Sequence, residues 1–190
     1  MQARYFTLAL LVASMAAVSA AERPLSLDYT HSRIEVAVKA TVDSFVGRLN
    51  AYELEVTLTD DGSVKAARLA FHFRDVATGK EARDKSMHKW QQTDTYPDGV
   101  FVLTSLQPGD GGNATAFGRL TLHGVTRDLR FPVSINRDGS RYAIDGDAPI
   151  DTREFGLPII RMLGVLKVDP IVHVRFHLQG TRDTVAAVQP

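Results

Sequence analysis

The chain has no cysteine among its 190 residues. That excludes a disulfide framework, thiolate zinc sites, cysteine nucleophiles, iron–sulfur ligation and a lipid anchor carried on a cysteine. It also lacks excess charge of either sign: 22 basic residues balance 22 acidic ones. No overall basic field is present to hold nucleic acid or an anionic bilayer. Aromatics make up 8% of the chain, with a single tryptophan, too few to build two interfacial girdles of a membrane barrel. Glycine-rich phosphate loops, a nucleophile elbow and internal repeats at a fixed period are all missing. After residue 20 no apolar run approaches the roughly 20 residues needed to span a bilayer as a helix.

The first twenty residues read as an export signal. Arg4 supplies the positive start, and the stretch from Phe6 to Val18 is apolar except for Thr7 and Ser14. Val18-Ser19-Ala20 then offers small residues for a signal peptidase. The apolar run is too short for a spanning anchor, and Glu22-Arg23-Pro24 follows at once. The expected organisation is a signal peptide over 1–20 and one domain over 21–190, exported to the periplasm or beyond.

Within that domain the recurring pattern is period-two alternation, the mark of half-buried strands. Ile34, Val36, Val38, Ala40 and Val42 form one such run, and Tyr52, Leu54, Val56 and Leu58 a second. Leu69, Phe71 and Phe73 alternate with Arg68, His72 and Arg74. Further runs hold Phe101 and Leu103, Leu120 and Leu122, then Leu129, Phe131, Val133 and Ile135. Tyr142 and Ile144 open a seventh run, and Val172, Val174, Phe176 and Leu178 mark the eighth. Eight such strands separated by turn signals predict a mainly antiparallel all-β fold, a sheet that packs or closes. Two segments break the pattern. Residues 80–92 are polar and helix-compatible, with Met87 and Trp90 three apart on one side. Residues 156–168 are apolar and irregular, interrupted by Pro158 and Gly164, and read as a loop or lid.

Full charges on the alternate positions (Glu53, Glu55, Arg68, Arg74, Arg130, Arg175) suit water, so the apolar face is expected to point inward. A barrel of eight strands is just wide enough to be filled by side chains or to hold one small ligand. The two cases stay open on alternation alone. If the barrel is hollow, its wall is apolar and its ligand apolar and chain-like.

Specific motifs point further. Asp28-Tyr29-Thr30-His31-Ser32 precedes the first run; Gly47 sits in the next hairpin; Thr78-Gly79 precedes Arg83-Asp84; Tyr96-Pro97 precedes Phe101. The run from Gly118 to Arg127, the run from Ile150 to Leu157, and Val168-Asp169 complete the series. In this order and spacing they resemble the YceI family of periplasmic, lipocalin-like polyisoprenoid-binding proteins. The chain departs from that pattern at Ala40, Leu49 and Val168, and at Gln91-Gln92-Thr93, where the family carries an acidic and aromatic run. The resemblance implies an eight-stranded lipocalin-like up-and-down barrel with a short helix and a lid-like loop. It implies a long amphipathic or isoprenoid ligand held for transport, storage or sequestration, no cofactor, no covalent chemistry, and a homodimer as one assembly. The cavity wall is then expected from Val36, Val38, Leu54, Val56, Phe71 and Phe73 on the first strands. Phe101, Leu122, Phe131, Val133, Val174 and Phe176 are expected from the later ones, and Met87, Trp90, Phe155 and Met162 from the irregular segments. Arg83, Arg153 and Arg161 are the candidates to meet a polar head.

The histidines carry no metal-like spacing. His173 and His177, four apart on a strand, lie about 13 Å from each other by strand rise. Asp138-Gly139-Ser140 and Asp145-Gly146-Asp147 read as turns rather than calcium loops.

Overall fold

The computed structural model describes residues 22–41, 43–162 and 166–182. The expected signal segment, and Val42 of the first run, lie outside the described residues. Alternation over the rest produces strands β1 (Arg23–Leu27), β2 (Arg33–Val38), β3 (Phe45–Leu49), β4 (Glu53–Leu58), β5 (Val64–His72) and β6 (Val76–Ala77). Helix α1 (Glu81–Gln91) follows. Then come the long strands β7 (Asp98–Pro108), β8 (Asn113–Leu122), β9 (Val125–Asp138) and β10 (Arg141–Asp151). A two-stranded flap, β11 (Arg161–Met162) with β12 (Leu166–Lys167), precedes the last strand, β13 (Ile171–Arg182).

Every neighbouring pair is antiparallel, and β13 pairs back onto both β1 and β2. The sheet therefore closes. Eleven strand segments, all but the β11–β12 flap, make eight staves, because β1 with β2, β3 with β4, and β5 with β6 are each one bent stave. The first bend shows how sequence sets the break. Between β1 and β2 the five residues Asp28-Tyr29-Thr30-His31-Ser32 bulge away from β13. Asp28 Oδ1 accepts the amides of Thr30 (3.0 Å) and His31 (3.2 Å), and its Oδ2 accepts from His31 Nδ1 at 2.7 Å. Ser32 Oγ accepts the Gln179 amide at 2.9 Å and donates to the Asp28 carbonyl at 2.7 Å, replacing the missing ladder bonds. The third break, after His72, is a single 3₁₀ turn that takes Phe73 out of the strand the alternation suggests.

Charged residues of the alternate positions, such as Glu55, Arg68, Arg130 and Arg175, are exposed on the outer wall, and the apolar positions face inward. One end is shut. Leu25, Leu58, Tyr142 and Leu178 pack there, Leu58 with no exposed surface, and the Tyr142 hydroxyl donates to the Gly62 carbonyl at 2.9 Å. At the other end α1, residues 157–160 and residues 168–170 border the barrel interior.

The β9–β10 ladder runs only from Asp138–Arg141 to Val133–Gly146, although both strands continue. Pro132 and Pro149 stand just beyond, and neither has an N–H to donate. The seam they leave is plugged by the 3₁₀ turn Thr152–Phe155, whose Phe155 is wholly buried against Leu120, Leu122 and Ile150. The His123-Gly124 turn between β8 and β9 holds this plug. Both residues have positive φ (49° and 72°), as a tight hairpin requires, and His123 Nδ1 hydrogen-bonds the Phe155 carbonyl at 3.1 Å.

Candidate cavity

Inside the closed sheet lies a cavity of about 900 Å³. That is near the upper end of the roughly 300–1,000 Å³ of ordinary ligand pockets. Its wall is apolar, and many inward side chains, Leu54, Phe101 and Val174 among them, are only half-buried because no atom of the protein covers them. The barrel is not filled.

Part of the reason is local. Phe71 pairs directly with Gly99 across β5 and β7, and Phe176 with Gly146 across β13 and β10. A Cβ at Gly99 would stand 2.2 Å from the Phe71 ring, and one at Gly146 2.3 Å from the Phe176 ring. Gly118 receives the Phe101 ring in the same way, at 2.4 Å. Each ring lies flat over bare backbone of the next stave, instead of standing into the lumen. The rings also meet each other along the wall, Phe101 with Phe131 at 5.7 Å and Phe131 with Phe176 at 6.1 Å between centroids.

The structure brings Val36, Val38, Leu54, Val56, Phe71 and Phe73 to this wall, and with them Phe101, Leu122, Phe131, Val133, Val174 and Phe176. Met87 and Trp90 join from α1. Two expected residues are elsewhere. Phe155 is the plug of the seam, behind the wall and not on it. Arg153 lies outside the lining, because Ile150 and Thr152 take the inward positions. Its guanidinium is spent on the Asp151 carboxylate at 2.5–3.1 Å and is half-exposed. Those bonds hold the Asp151 carboxyl below the usual carboxylate range. The side chains of Arg161 and Met162 lie outside the described residues. Alternation could not find the residues of the irregular segments that also line the cavity, among them Ala82, Gln91, Pro158, Ile159 and Ile160.

The α1 end is polar in a bounded way. Arg83 stacks its guanidinium 4.1 Å from the Phe45 ring centroid and donates to Asp43 at 2.8 Å, while Lys80 reaches the same carboxylate at 3.4 Å. Asp84 accepts both the Thr78 amide (2.9 Å) and its hydroxyl (2.6 Å), which sets the start of the helix after Gly79. The helix ends with Gln92 left-handed, its amide on the Lys89 carbonyl and the Thr93 amide on that of His88, the Schellman pattern. Trp90 Nε1 donates to the Pro158 carbonyl at 2.8 Å, tying α1 to the crossing segment. That segment is tied in turn to the end of β2, through Thr41 to the Lys167 carbonyl and Asp169 to the Lys39 carbonyl.

Residues 25–180 match the YceI-like domain. The chain belongs to the YceI-like family. Two solved structures share the fold. BcnA of Burkholderia cenocepacia superposes with a TM-score of 0.73 at 20% identity, covering 82% of this chain and 100% of that one. A polyisoprenoid binding domain from Saccharophagus degradans, implicated in plant cell wall breakdown, gives 0.64 at 21% identity, covering 87% and 100%. A UPF0312 protein of Vibrio vulnificus is 24% identical over 186 residues, 92% of this chain and 95% of that one. In this YceI-like chain the recurrent motifs are structural. Asp28 to Ser32 form the first bulge, Thr78 and Asp84 the helix start, and His123-Gly124 the turn that carries the plug.

The outer wall holds paired charges. His173 bonds Asp147 and His177 bonds Asp145, each at 2.7 Å, and Arg175 bonds Asp147 at 3.1 Å. Burial pushes the Asp147 carboxyl up, but the bonds from His173 and Arg175 outweigh it and hold it below the usual range. A shallow groove runs past these groups, and they satisfy one another. Among the described residues no cluster of three metal-ligating side chains occurs.

Proposed function

We propose that this YceI-like chain is a non-catalytic carrier that holds one long apolar or isoprenoid chain inside its barrel. The observation that carries the reading is the unfilled apolar cavity of about 900 Å³, walled by aliphatic side chains and flattened phenylalanine rings. Burying a methylene there is worth about 0.8 kcal/mol, so a dozen would supply about 10 kcal/mol against the costs of association. The designation of the Saccharophagus degradans domain as polyisoprenoid-binding supports the same ligand class here. The catalytic alternative would need a reactive group at the wall. The polar side chains bordering the cavity are instead gathered at the α1 end and, Gln91 apart, engaged within the fold. We read residues 1–20 as the export signal, with the periplasm as the place where the carrier transports, stores or sequesters its ligand.

Native mass spectrometry of the protein purified without detergent tests this. A stoichiometric hydrophobic adduct is expected, and its mass identifies the chain. The same spectrum reads whether the protein is a monomer or the homodimer that its family resemblance implies. An empty protein that takes up neither added polyprenyl nor fatty lipids would overturn the reading.

A further inference from the structure

Gln91 stands apart from every other polar group at the cavity. It is wholly buried at the end of α1, borders the cavity, and neither its amide nitrogen nor its amide oxygen has a hydrogen-bond partner among the described residues. The other polar side chains there are engaged. Thr78 bonds Asp84, Ser86 donates to the Ala82 carbonyl, and Thr152 donates to the Pro170 carbonyl. Asp169 accepts the Ile171 amide, and Arg83 and Lys80 share Asp43. A buried amide with no partner is unfavourable, and folded proteins keep such groups rarely.

The Schellman turn after the helix fixes the backbone at Gln91, while the terminal torsion of a glutamine is soft and roughly two-fold. Its amide atoms have no surface open to the lumen, so the side chain must swing toward the cavity to present one donor and one acceptor to the end of a chain drawn up against α1. The charges bordering the cavity do not favour an anion there. Asp43 and Asp169 balance Lys80 and Arg83, and Arg83 is already held by Asp43 and the Phe45 ring.

We propose that Gln91 is the specificity-determining residue of this cavity, reading a neutral end group that both donates and accepts a hydrogen bond, as an alcohol does. The inference rests on the carrier reading above. Geranylgeraniol, the hydrocarbon of the same carbon skeleton, and geranylgeranyl phosphate serve as probes, with the fluorescence of Trp90, the chain's single tryptophan at the cavity wall, as readout.

The natural protein is expected to bind the alcohol roughly tenfold tighter than the hydrocarbon, the worth of about one net hydrogen bond. It is expected to bind the phosphate no better than the alcohol. Gln91→Met, which keeps the length and removes the amide, is expected to lose the preference through weaker alcohol binding, with hydrocarbon affinity unchanged and the empty protein melting higher. Equal binding of alcohol and hydrocarbon by the natural protein, or an undiminished preference in Gln91→Met, overturns the role of Gln91 and leaves the carrier reading standing. Tighter binding of the phosphate overturns the neutral end group. Binding of none of the three overturns the carrier reading and this inference with it.

Discussion

Single residues decide how much room the barrel has. An aromatic side chain inside a small barrel normally fills it, and this chain places Phe71, Phe101 and Phe176 on inward positions. The glycines beside them let the rings lie down. Gly146 is the clearest case, since it is directly paired with Phe176 and its φ is not in the left-handed region; space alone forbids a side chain there. Gly146→Ala is expected to push the Phe176 ring into the lumen, cut lipid affinity at least tenfold, and cost about 1–3 kcal/mol of stability through overpacking. Ligand titration and urea denaturation of the variant check this. Unchanged affinity would mean that the ring has another way to move. Arg153 illustrates the opposite situation. A motif places a cation near the cavity, but the 3₁₀ turn sets it outside the lining and Asp151 neutralises it.

At the scale of elements, the seam between β9 and β10 is where the barrel is least held by its ladder and most dependent on packing. Pro132 and Pro149 end the pairing, and the turn Thr152–Phe155 closes the opening with one fully buried ring. Phe155→Ala is expected to cost about 3–5 kcal/mol, the range for a large ring lost from a packed site. Urea denaturation measures it, and a loss below 1 kcal/mol would show that the seam does not rely on the plug. At the same end of the barrel, α1 is fastened by Asp43 and by the Trp90–Pro158 bond, both to irregular segments. Periodicity located α1, since its polar stretch carries Met87 and Trp90 on one side, and the structure places both at the cavity. It could not locate β1 or β3, which are short and whose apolar positions do not extend into a run.

Over the whole molecule, stability in acid sums the carboxylates that folding holds below their ordinary pKa. Hydrogen bonds do this, from His31 at Asp28 and from Arg153 at Asp151. At Asp147 burial opposes the shift, but the bonds from His173 and Arg175 prevail. A carboxyl depressed in the folded state stabilises fully above its unfolded pKa of about 3.9, and that contribution is lost as pH falls through the folded value. The melting temperature is therefore expected to owe nothing to these three groups' titration between neutral pH and about pH 5, and to fall progressively below about pH 4. Asp28→Asn, which removes one such carboxyl, is expected to flatten part of that fall. Calorimetry across the pH series checks it; a variant curve parallel to the natural one would remove Asp28 from the acid response.

The sequence by itself determined most of the strands and their parity, and its resemblance to the YceI family implied the closed eight-stave architecture. Alternation of apolar and charged residues has the same period as the pleat, and the turn motifs between runs fit only neighbouring antiparallel staves. Only the tertiary structure decided that the barrel is hollow, because that depends on which backbone each phenylalanine ring meets across the sheet. The same holds for Phe155, Arg153 and Gln91. Their side chains sit in or beside irregular segments, where no period links position to direction. Phe155 became a plug because two prolines on other strands leave a seam. Arg153 became half of an ion pair because the 3₁₀ turn sets it outside the cavity lining, beside Asp151. Gln91 became the polar group bordering the cavity whose amide has no hydrogen-bond partner among the described residues.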